Sequence, residues 1–128
     1  MTDAAPPLPL PVVEFVRGHI SSLLQLEALL LVFETGGRPR SVAQLAAEMY
    51  VPSGAVADWL DDFCAHGFCE RVDEGYRMAD DQHAFELLSA VADCYMRRRI
   101  SLGRLIFSPR YEDPRGSFSD AFRIRRER

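Results

Sequence analysis

Three side chains able to ligate a soft metal or act as nucleophiles fall close together: Cys64, His66 and Cys69. The Cys-x-His-x-x-Cys spacing offers thiolates and an imidazole, which zinc prefers, but a closed zinc site needs four well-placed ligands and no second pair stands nearby. Cys64 sits beside the apolar stripe of a helix and Cys69 in a strand, so both are expected to be small buried residues. No metal and no cofactor is expected. Two acid pairs, Asp61-Asp62 and Asp80-Asp81, look like general acid–base material. Adjacent residues on a helix diverge, so neither pair converges on a substrate. His19 and His83 have no neighbouring nucleophile in the sequence. No phosphate-cradling glycine loop and no nucleophile elbow is present. The chain is expected to act by binding and not to be an enzyme.

Charge is distributed unevenly. All fifteen cations are arginine, and the formal net charge is −4. Residues 1–95 carry five arginines against fifteen acids, whereas residues 96–128 carry ten arginines against four acids. An acidic body joined to a basic C-terminal region suggests a tail with its own partner. Three scattered cysteines do not make a disulfide framework, and the first ten residues carry an acid and many prolines, with no basic secretory start. A cytoplasmic location is expected. The longest apolar stretch, Leu23 to Phe33, is interrupted by Gln25 and Glu27. It is about half the ~20 residues a membrane span needs, so it is expected as a buried helix.

The elements that position these residues follow from breakers, caps and periodicity. Residues 1–11, with prolines at 6, 7, 9 and 11, read as a leader, and a helix is expected from about Pro11 or Val12, broken or bent at Gly18. Ser22 with Gln25 fits a capping box for a buried helix ending at Gly36-Gly37. Ser41 with Gln44 repeats the box before a short helix. Ser53 is expected to cap the next helix, whose stripe is Val56, Trp59, Leu60 and Phe63, and Gly67 closes it. A strand from Phe68 to Val72, a loop Asp73-Glu74-Gly75 and a return strand Tyr76 to Met78 form a hairpin. Asp80-Asp81 favours a helix start, and one long helix is expected to run to about Phe107. The fold class is mainly α with a small β-hairpin.

This order resembles the winged helix-turn-helix domain of bacterial transcriptional regulators. The resemblance rests on Ser41-Val-Ala-Gln-Leu-Ala through Gly67-Phe-Cys-Glu-Arg-Val-Asp-Glu-Gly-Tyr-Arg-Met and covers roughly residues 20–80. It implies a winged-helix domain over residues 12–107 with a long C-terminal helix that dimerises through Phe85, Leu88, Ala92, Tyr95 and Leu102. A homodimer regulating transcription is then expected, with DNA or another regulatory protein as partner and no membrane involvement.

The residues temper the DNA expectation. With the apolar stripe inward, the second short helix shows Asp58, Asp61 and Asp62 outward and no cation, and duplex binding draws on cations that displace counterions from phosphate. DNA contacts would fall to Arg38, Arg40, Arg71 and Arg77 and to the basic tail. In the alternative reading the domain is a protein-interaction adaptor, using those aspartates and a C-terminal segment. In that segment, residues 108–128, Phe118, Ala121 and Phe122 share one helical face flanked by Arg123 and Arg125, the pattern of a short docking helix.

Overall fold

A computed structural model describes residues 8–73 and 75–107. Pro9 takes an extended conformation and Pro11 lies in the first turn of α1 (Leu10–His19), where its missing N–H costs nothing. The helix therefore starts slightly earlier than the proline-rich spacing suggests, and Gly18 lies within its last turn. The chain bends by 115° before α2 (Leu23–Glu34). Ser22 accepts from the Gln25 N–H, but the Gln25 side chain turns back to the Ser21 N–H and hydroxyl, so the expected box is only half made. Among the described residues, no single helix is long and apolar enough to cross a membrane.

α2 is the hub. It packs against α3 (Val42–Met49), α4 (Ser53–Ala65) and α5 (Gln82–Arg97) and against a strand of the sheet. Leu26, Ala28, Leu29 and Val32 are completely buried, covering more than one face of the helix. That explains its nearly unbroken apolar sequence. The Ser41–Gln44 capping box closes in both directions at the start of α3. Tyr50 ends α3 in the left-handed conformation. Ser53 supplies no side-chain cap; it is the first residue of α4, and Pro52 holds the N-cap position. Val56, Leu60 and Phe63 of α4 are fully buried and Trp59 is half-buried against them.

Gly67, at φ +87, releases the chain into an antiparallel hairpin of β1 (Cys69–Val72) and β2 (Gly75–Met78). Val72 pairs with Gly75, so Gly75 belongs to the return strand and not to the loop. Residue 40, just ahead of α3, joins the far side of β2. Arg40 N–H donates to the Tyr76 carbonyl at 2.7 Å and Tyr76 N–H donates to the Arg40 carbonyl at 2.8 Å. This approach leaves no space for a side chain at Gly75, where a Cβ would stand 2.1 Å from the Arg40 oxygen.

Asp81 caps α5, accepting from the His83 and Ala84 N–H groups. The single long helix expected here is two. α5 ends at Arg97, Arg98 leaves helical geometry, and α6 (Arg99–Phe107) follows. The Arg97-Arg98-Arg99 run has no apolar residue to extend the α5 stripe. The break lets α6 pack against α1 and α5, burying Leu102, Leu105 and Ile106.

Candidate functional site

The outer face of α4 is acidic. Inward burial of Val56, Leu60 and Phe63 fixes the helix rotation and leaves Asp58, Asp61 and Asp62 exposed, as the apolar spacing requires. Asp61 accepts from the Tyr76 hydroxyl, and the Arg71 guanidinium lies 3.5 Å from the same carboxylate. Arg71 also lies over the Tyr76 ring, 5.7 Å from its centre. Burial, then the adjacent Asp61 carboxylate, pushes the Tyr76 phenol up to about 12. One aspartate of the face is thus tied to the hairpin. Asp62 faces His66, whose Nδ1 also lies 2.9 Å from the Asp62 carbonyl oxygen.

The arginines expected to grip phosphate are mostly answered by carboxylates. Arg40 pairs with Glu48, Arg71 with Asp61, and Arg77 with Glu70 at 2.6 Å. Arg38 lies exposed in the loop before α3. The four do not form a patch free of acids, because each of the three pairs joins neighbouring elements of the hairpin, α3 and α4. Phe118, Phe122, Arg123 and Arg125 lie outside the described residues.

The cysteine cluster is a thiol pair beside a separate imidazole pair. Cys64 and Cys69 sulfurs lie 3.2 Å apart, and the Cys69 thiol donates to the Leu60 carbonyl. Burial pushes both thiols up, Cys69 strongly. His66 stacks edge-on against His19, 4.7 Å between centres. Burial first, and then the neighbouring His66, pulls His19 below the usual imidazole range. Among the described residues no group of three or more His, Cys, Asp or Glu is placed to hold a metal ion.

The residues read as a dimer seam do not share a surface. Leu88 and Leu102 are fully buried in the chain's own core. Phe85 is half exposed and packs on Phe33, 5.8 Å between ring centres. Ala92 and Tyr95 face α2, where the Tyr95 hydroxyl donates to Glu27. The physical reason is the break at Arg98: α6 folds back and takes Leu102 away from the α5 stripe.

The structure adds features that spacing alone does not signal. Tyr50 is 94% exposed at the α3–α4 turn, and Met96 and Ile100 stand out at the α5–α6 junction. Between α2, α3 and α5 lies a groove of about 470 Å³, lined among others by Leu30, Leu31, Met49 and Met96 and by Glu27, Glu34 and Glu48. Apolar periodicity marks α2 as buried all round and hides the side it leaves open. Compared with protein-family models, curated proteins and solved structures, the chain matches none.

Proposed function

We propose that this chain is a winged-helix regulatory protein that acts by binding, and that its α4 face meets a basic protein surface and not duplex DNA. Support for the winged-helix reading comes from the order of α2, residue 40, α3, α4 and the hairpin. The isolated Arg40–Tyr76 bridge ties the chain just before α3 to the outer side of the hairpin. Likeness of architecture does not fix function, so the surface must carry the rest.

The observation that carries the reading is the outward face of α4. On the winged-helix reading α4 is the recognition helix; its outward residues include Asp58, Asp61 and Asp62, and Arg71 is held against Asp61. Phosphates repel such a face, whereas a basic partner gains both attraction and rapid association from it.

Fluorescence anisotropy with a random-sequence duplex tests this at low and at moderate salt. The wild-type chain is expected to show no binding at either. Asp58→Arg with Asp62→Arg is expected to create salt-dependent binding, because the same helix then presents cations. Steeply salt-dependent binding by the wild type overturns the reading in favour of a DNA-contacting regulator using Arg38, Arg40, Arg71, Arg77 and the basic tail.

A further inference from the structure

We propose that the groove between α2, α3 and α5 is the docking site of this chain's own segment 117–126, bound in cis. The groove is lined by apolar side chains and three glutamates, with no cation among the lining residues. Met96 stands 75% exposed on it, an unbranched apolar side chain that adapts to irregular partners. Two of these carboxylates already hold donors from this chain: Glu27 accepts from Tyr95 and Glu48 pairs with Arg40. Each keeps lone pairs for a second donor, and Glu34 is a third acid in the lining.

An occupant apolar along one side and net cationic complements this lining. The sequence contains one such segment beyond α6. Phe118, Ala121 and Phe122 recur at helical spacing; Arg125 continues that face one turn on, Arg126 lies to its side and Arg123 behind it with Asp120, so the segment is net cationic. Two aromatic rings suit the apolar lining, and the segment's net positive charge suits the three glutamates. Arg-to-carboxylate pairing supplies orientation as well as attraction.

The tether allows the encounter. Residues 108–117 separate Phe107 from the segment and span up to roughly 35 Å when extended. Met96 on the groove is separated from Phe107 by three chain links, at most about 11 Å, and by α6, about 12 Å of helix, so the groove lies within the tether's reach. Tethering also holds the segment at an effective concentration on the millimolar scale, enough to fill a modest site. This inference is independent of what the α4 face binds.

The test uses the full chain with Phe122 replaced by the photoreactive residue p-benzoylphenylalanine, which attacks methionine readily. Light and heavy nitrogen-labelled populations are mixed before irradiation. The expected products join residue 122 to Met96 or Met49 within chains of one label. Glu34→Arg is expected to lower that yield about fivefold, the effect of losing one ion pair and gaining a repulsion. Raising salt to about 0.5 M lowers it in the same direction without any substitution. Products joining light to heavy chains, products on other faces, or no product at all each overturn docking in cis. Circular dichroism of the Glu34→Arg chain guards against unfolding, and if that variant fails to fold the salt series and the site of attachment still decide.

Discussion

The Tyr76 hydroxyl donates to the Asp61 carboxylate, tying the returning strand of the hairpin to the outer face of α4. The ring is buried while the carboxylate remains half in water, so the bond crosses from core to surface. It makes the orientation of the acidic helix depend on the hairpin, and it makes Asp61 less available to partners than Asp58 or Asp62.

Tyr76→Phe should cost about 1 kcal/mol at neutral pH, since a bond to a charged but half-exposed acceptor gives less than a buried one. The pH dependence has a definite sign. The folded phenol is raised to about 12, above its ordinary value near 10. Its contribution is fully present below pH ~10 and is lost as pH rises toward ~12. Urea unfolding across that window should show a steeper fall for the wild type than for the Phe variant. Parallel curves would show that the phenol does not titrate differently on folding.

Gly75→Ala should destabilise the fold by more than about 2 kcal/mol, because φ +139 strains any side chain and the new Cβ collides with the Arg40 carbonyl. Gly36→Ala is the control. It has a positive φ of +69 but open space around it, so about 1 kcal/mol is expected. Equal effects in thermal unfolding would mean that the residue 40 bridge contributes nothing.

Leu88→Ala should cost about 2–5 kcal/mol, as a fully buried leucine leaves a cavity, whereas Phe85→Ala should cost well under half of that. Sedimentation of the Leu88 variant should show unfolding and no change between discrete oligomers. A folded variant that simply dissociates from dimer to monomer would restore Leu88 to a subunit interface.

Native Cys64 and Cys69 should alkylate with iodoacetamide at least about tenfold more slowly than a free thiol at pH 8, since only thiolate attacks. Burial raises both thiols and so depletes the thiolate. Peptide mass spectrometry against a urea-unfolded control reads the ratio; matching rates would place the pair in solvent.

Local signals made much of the secondary structure readable. The Ser41–Gln44 box, each step of the α4 stripe, Gly67 and the Asp81 cap act over at most four residues, a span that sequence spacing displays directly. Features set by competition between local and distant contacts differ from their local signals. Ser53 had the right chemistry for a cap, but Pro52 took that position. Gln25 found Ser21 in place of Ser22. Gly75 seemed part of a turn because glycine suits turns, whereas its role is to admit the Arg40 backbone. The break at Arg98 was hidden because arginine is a good helix former; its cause is the burial of Leu102, Leu105 and Ile106 against α1.

The sequence by itself determined the helical class, the hairpin, the acidic α4 face and the concentration of arginine beyond residue 95. These follow from periodicity and composition, which any window of the chain displays. Only the tertiary structure decided which arginines are matched by carboxylates, where the helix after Asp81 breaks, and which side of α2 stays open as a groove. Those outcomes depend on residues far apart in the chain, such as Arg40 with Tyr76 or Tyr95 with Glu27, and no local pattern records a contact between them.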